Sequence, residues 1–215
     1  MMKNFYIVEH PLLMHYLTIL RDKNTRQEQF KYTLDKVSYL LASHVYADLT
    51  VTQKVINTPL KKCNGASVNN LVVLMPILRA GLGLLTGFVD LYPTAIISHM
   101  GLYRDEELLK PVKYYFKFPK IKNKELLRVI ILDPMIATGG SISFAIEYLL
   151  NMGIPRISVA SLLTAPEGLE AIENRFNKLE KNKLFIYTCA LDEGLNEKGY
   201  IIPGLGDAGD RLFGT

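Results

Sequence analysis

The 215-residue chain holds only two cysteines, Cys63 and Cys189, far apart and with no CxxC beside either. That argues against a disulfide framework or a cysteine-based zinc site and suits idle thiols in a reducing compartment. Long apolar runs are missing too. The longest, Leu71 to Leu78, spans eight residues, where a bilayer-crossing helix needs about 20. Near the N-terminus, Phe5-Tyr6-Ile7-Val8 between Lys3 and Glu9 is too short for a secretory leader. A cytoplasmic protein without membrane attachment is the expectation. Charge of one sign is also scarce: 25 basic against 21 acidic residues leave +4. So mild a balance does not mark a nucleic-acid binder, although it suits an enzyme that holds anionic substrates. Repeats, low-complexity tracts and Pro/Gly/Ser linkers are absent. With 49% hydrophobic residues, the chain reads as one domain over residues 1–215.

What is present falls into two textures. Residues 1–50 read as a helical arm. Thr25 and Glu28 have the spacing of a capping box, and Phe30, Leu34, Val37, Leu41 and Val45 follow at helical intervals to an end near Leu49. His15 and His44 lie on these stretches as ordinary helix histidines. From residue 70 to 215, short apolar runs alternate with helical segments. Leu71–Met75, Ala95–Ser98, Val129–Leu132, Ile157–Leu163 and Leu184–Tyr187 read as strands. Ser141–Met152, stopped by Gly153 and Pro155, and Pro166–Phe176 read as helices. Apolar strands alternating with helices predict the α/β class, a mainly parallel buried sheet flanked by helices. In that class ligands sit beyond the carboxyl ends of the strands.

One loop in such a place combines acid, hydroxyls and glycines. Val129–Leu132 runs into Asp133-Pro134-Met135-Ile136-Ala137-Thr138-Gly139-Gly140-Ser141, and a helix follows. Small residues let successive N–H groups converge, the helix start adds free donors, and Thr138 and Ser141 add hydroxyls. This is a cradle for a phosphate monoester, with Asp133 placed to hold a pair of sugar hydroxyls. The bland alternative is a glycine-rich strand–turn–helix connection. No GxxxxGK[ST] exists, so the loop is not a triphosphate P-loop. Gly204 to Gly209 matches GxGxxG by letter, but only six residues follow it. With no room expected for a helix and second strand, it is not a dinucleotide fingerprint.

The hydrophobic run, the acid and Ala137-Thr138-Gly139-Gly140-Ser141 resemble the phosphoribosylpyrophosphate motif of type I phosphoribosyltransferases. Asp133-Pro134, in place of two adjacent acids, is similar to the uracil phosphoribosyltransferase variant. So are Pro76-Ile77-Leu78-Arg79-Ala80-Gly81-Leu82-Gly83, Gly101-Leu102-Tyr103-Arg104-Asp105-Glu106 and the block from Gly199 to Arg211. His10-Pro11 and Thr18-Ile19-Leu20-Arg21-Asp22 also resemble that family. The run Ala42 to Leu49 departs from it, which bears on local packing or an intersubunit contact rather than on chemistry.

The resemblance implies transfer of phosphoribose from phosphoribosylpyrophosphate to uracil N1, giving UMP and pyrophosphate in pyrimidine salvage. Arg79, with the backbone of Ala80 and Gly81, would stabilise the departing pyrophosphate. Arg104, on the charged stretch Tyr103 to Pro111, would close over the site. Asp133 to Ser141 would hold the phosphoribosyl group, and Asp207 would contact the activated sugar. Backbone groups of Ile201, Gly206 and Ala208, beside Asp207, would read uracil. Asp207 and Asp210 alone do not define a metal site, so Mg2+ is expected to arrive on the pyrophosphate with its water. The family is generally oligomeric, and the apolar N-terminal helices offer one interface. GTP is a candidate effector, without a readable triphosphate motif. A nucleic-acid-binding regulator on the same fold is the rival reading, opposed by the modest charge and the lack of a basic, aromatic-interleaved patch.

Overall fold

The computed structural model describes residues 4–104, 111–179 and 183–215. The arm comprises β1 (Phe5–Ile7), α1 (Pro11–Arg21) and α2 (Gln27–Tyr46), followed by β2 (Val51–Asn57) and β3 (Lys62–Val68). Next come β4 (Leu71–Leu78), a 3-10 turn (Ala80–Leu84), α3 (Leu85–Leu91), β5 (Ile96–Ile97), β6 (His99–Arg104) and β7 (Pro111–Lys117). The second half holds β8 (Leu127–Leu132), β9 (Met135–Ile136), α4 (Gly140–Asn151), β10 (Ile157–Thr164), α5 (Pro166–Phe176) and β11 (Leu184–Leu191). It ends with β12 (Gly194–Leu195), β13 (Ile201–Ile202) and α6 (Ala208–Phe213).

The main sheet runs β1-β11-β10-β8-β4-β6-β7, with β5 beside β4 and β9 beside β10. Every pairing along that path is parallel except β6 with β7. The expected α/β class is the observed one. Successive strand residues face opposite sides, so Val72 and Leu74 enter one core while Val73 and Met75 enter the other. α1, α2, α3 and α6 cover the first face through residues such as Leu17, Phe30, Phe88 and Leu212. α4 and α5 cover the second through Ile142, Ile146, Leu169 and Ile172. Because the strands are parallel, β4, β6, β8 and β11 all end at one edge, delivering Arg79, Arg104, Asp133 and Asp192 there.

Several expectations change. Thr25 is not a cap: its hydroxyl donates to the Ile19 carbonyl at 2.6 Å, and Arg26 precedes α2 without a side-chain cap. His10 instead caps α1, its Nδ1 accepting the Leu12 N–H at 3.1 Å, with Pro11 at the first helical position. The apolar sides of α1 and α2 pack into the molecule's own core, while Leu12, Met14 and Tyr32 on the same helices stay exposed. Further exposed apolar residues lie on the β2–β3 hairpin, at Val51, Val55, Ile56 and Leu60. Finally, residues after Gly206 do form a short helix, α6, because Asp207 caps it and Leu212 anchors it in the core.

Candidate active site

The cradle grows directly out of the sheet. After β8 the chain skips pairing at Asp133 and Pro134, and β9 resumes beside β10 in the same register. The Pro134 carbonyl accepts the N–H groups of Leu162 and Leu163 at 3.0 and 3.1 Å, which locks this step. Gly139 then takes φ +76° at the N-cap of α4, a conformation costly for other residues. A side chain there would also meet the Gly168 carbonyl of α5 at 2.7 Å. Since Gly139 has no side-chain oxygen, it leaves the first-turn donors of α4 to a ligand. A cavity of ≈ 80 Å3 results, lined by Asp133, Met135 to Gly140, Ser141 and Ile142.

Asp133 stands at its inner end. Part of its surface stays open, yet the protein packed around it pushes its carboxyl up from 3.8 to about 7. Its internal partner is the Met135 N–H, at a long 3.4 Å that lowers the value only weakly. The site therefore contains an acceptor whose charge is under-compensated, and sugar hydroxyls are donors that would satisfy it.

Arg79 leaves the end of β4 and is more than half exposed, 4.0 Å from Asp210 and 5.7 Å from the Phe213 ring. Its turn is pressed against the cradle: a side chain at Gly81 would lie 2.2 Å from the Leu132 carbonyl, so only glycine fits. Across the same turn, Ala80 faces Gly209 of α6, a side chain at Gly209 coming within 3.9 Å. The Leu78–Arg79 and Ile202–Pro203 peptides are cis. Arg104 is the last residue of β6, on the same edge. The expected lid continues into residues 105–110, outside the described residues.

The C-terminal loop carries the remaining candidates. Ile201 is buried on β13, paired with Leu195 of β12. Gly206 is exposed with φ +80°, and Ala208 is buried at the start of α6. The Asp207 carboxylate accepts the Asp210 N–H at 2.9 Å, so in the free protein it serves as a helix cap. Thus the Arg79 turn packs on one side against Leu132, the residue before Asp133, and on the other against Gly209 and Asp210 of α6, just after Asp207 and Ala208. Among the described residues no three metal-ligating side chains cluster. Sequence reasoning missed Arg21 and Asp192, which hold this loop from behind. The only signal was Arg21 within the quoted run Thr18 to Asp22, because nothing in the chain marks Asp192 as its partner.

The family model for uracil phosphoribosyltransferase matches residues 7–215. The chain belongs to that family. The uracil phosphoribosyltransferases of Thermoanaerobacter sp. strain X514 and Geobacillus kaustophilus are 42% and 45% identical, each alignment spanning all of both chains. The solved structure of the AQ2163 protein from Aquifex aeolicus is 36% identical, with TM-score 0.88 over 97% of each chain. Adenine phosphoribosyltransferase from Trypanosoma brucei matches at TM-score 0.56 and 11% identity, over 95% of this chain and 88% of that one. That likeness shows the type I phosphoribosyltransferase fold alone. Within the uracil phosphoribosyltransferase family, this chain's departing segment has a plain local account. Exposed His44 sits with Nδ1 3.0 Å from the Leu40 carbonyl, and Asp48 is ion-paired with Arg156.

Proposed function

We propose that this chain transfers phosphoribose from phosphoribosylpyrophosphate to N1 of uracil, yielding UMP and pyrophosphate. The observation that carries the reading is the Arg79 turn packed between the end of β8, which opens the phosphate cradle Asp133 to Ser141, and α6, which follows the loop Ile201 to Ala208. In this reading the 5′-phosphate lies on Thr138 to Ser141, and the Asp133 carboxylate accepts the ribose hydroxyls. As the bond from C1 to pyrophosphate breaks, negative charge grows on the leaving group. Arg79 and the N–H groups after it stabilise that charge. Arg104 keeps the lid role that the resemblance implies, excluding water that would hydrolyse the activated sugar. Asp207 steadies the sugar, and the backbone at Ile201, Gly206 and Ala208 reads the base.

Mg2+ fits as an ion carried on pyrophosphate, where it neutralises leaving-group charge. A homo-oligomer is supported by the exposed apolar residues of the β2–β3 hairpin. Two unpaired cysteines, with no membrane-crossing helix among the described residues, support a cytoplasmic setting. GTP as effector rests on kinship, and an assay with and without it decides. The main test incubates the protein with Mg2+, phosphoribosylpyrophosphate and each nucleobase separately, then identifies the nucleotide formed. UMP from uracil alone is expected; a purine nucleotide would overturn the assignment.

A further inference from the structure

One ion pair ties the N-terminal arm to the C-terminal loop. Arg21, in the last turn of α1, donates through Nη1 to Asp192 Oδ2 at 2.8 Å and through Nη2 to Oδ1 at 2.5 Å. The same Nη1 donates to the Gly204 carbonyl at 2.8 Å, and Asp192 Oδ2 accepts the Gly204 N–H at 2.9 Å. Both backbone polar groups of Gly204 are thus held by one pair. The Asp192 side chain is 3% exposed and that of Arg21 24%, so the fork is shielded and bidentate, the strong form of this interaction. Asp192 is itself fixed at the end of β11, its N–H donating to the Thr164 carbonyl at 2.9 Å.

A second arginine reinforces the tie. Arg211 donates to the carbonyls of Leu20, Leu205 and Asp22, and its guanidinium lies 4.5 Å from the Phe30 ring. Residues 204 and 205 are therefore fastened to the arm immediately before Gly206 and Ala208.

We infer that the Arg21–Asp192 pair is a positioning device for base recognition, holding the loop 201–208 in its reading conformation before the base arrives. The inference rests on the proposed role of that loop in binding uracil. Neither side chain belongs to the proposed contacts with substrate; the pair acts through Gly204. Without it the short, glycine-containing loop populates other conformers, and the apparent base affinity falls by the fraction that remains competent. At saturating base the competent conformer is selected again, so kcat persists. The cradle hangs on β8, α4 and α5, and Asp207 stays fixed as the cap of α6, so the affinity for phosphoribosylpyrophosphate changes little while residues 201–206 are released.

The test compares Arg21→Lys, Arg21→Gln, Asp192→Asn and the double variant Arg21→Gln/Asp192→Asn, with uracil and phosphoribosylpyrophosphate varied separately. Circular dichroism and the thermal midpoint check folding. Asp192→Asn is expected to raise the uracil KM about ten- to hundredfold, from the loss of charge-assisted hydrogen bonds. Its kcat and its KM for phosphoribosylpyrophosphate stay within about threefold. Arg21→Lys keeps the charge but loses the fork, and gives a smaller rise in the same parameter. The double variant is no worse than the single ones, because the loop is already released. If Asp192→Asn does not fold, Arg21→Lys carries the same comparison. A uracil KM within twofold of the parent, or both KM values rising together, overturns the positioning role while the parent remains active. A parent that makes no UMP overturns the functional reading, and this inference with it.

Discussion

Replacing Asp133 by Asn should stabilise the free protein while crippling the enzyme, and the stabilisation should depend on pH. In the folded chain the carboxyl is pushed from 3.8 to about 7 by burial. Between pH 4 and 7 it keeps a proton that the unfolded chain has lost. The unfolded state then binds fewer protons, so stability falls as pH rises through this window and levels off above about 7. The full shift corresponds to at most about 4 kcal/mol. Water at the open edge of the carboxylate reduces this to roughly 1–3 kcal/mol. Asparagine is neutral throughout and escapes that cost. Urea unfolding of both proteins at pH 4, 5, 6, 7 and 8 should show the advantage of Asp133→Asn growing up to about pH 7 and then staying constant. Meanwhile kcat/KM should fall about ten- to hundredfold, the loss of about 1.5–3 kcal/mol from charge-assisted bonds to the ribose hydroxyls. Parallel stability curves for the two proteins would refute the desolvation argument. Unchanged kinetics in the folded variant would refute the role in sugar binding.

Arg79→Ala should lower kcat and not merely raise KM, because the charge it meets grows only as pyrophosphate leaves; steady-state kinetics with normal turnover and weaker binding would contradict this. Gly168→Ala places a methyl group 2.3 Å from the Ala137 carbonyl. Overpacking of about 1–3 kcal/mol should distort the cradle, seen as a lower thermal midpoint and a higher KM for phosphoribosylpyrophosphate with the uracil KM little changed. A backbone N–H, C=O, N–H triad matches uracil's O4, N3–H and O2 but leaves two mismatched groups against cytosine. At about 1–3 kcal/mol each, that is on the order of 30- to 10⁴-fold discrimination; cytosine within tenfold of uracil in kcat/KM would sink the triad.

The elements that could be read from sequence are those whose burial is uniform. β8, β10 and β11 are nearly continuous apolar runs because helices cover both faces, and α5 was bounded at Pro166 and Phe176 by its own chemistry. The β2–β3 hairpin escaped because β2 has no buried face to impose alternation. β7, an antiparallel edge strand of lysine and tyrosine, escaped for a similar reason. β1 has three residues and depends wholly on β11 for its pairing. Thr25 and Glu28 satisfied a spacing rule, but spacing does not say that Ile19 offers the threonine a better acceptor. The cradle was legible because its donors and hydroxyls are consecutive. The Arg21–Asp192 tie was not, since its two halves sit 171 residues apart.

That separation has a consequence for the order in which the protein is made. β1 finds its sheet partner only when Phe5 can pair with Ile186 of β11. At ribosomal rates of about 5–20 residues per second, roughly 10–40 s pass between the synthesis of the two. Within that interval β8, α4, β10 and α5, which carry the cradle, are made first, whereas α1 has no Asp192 to grip and the base loop does not yet exist. A nascent chain thus completes the parts of its phosphate cradle before those of its base loop. The apolar sides of α1 and α2 meanwhile wait for part of their covering.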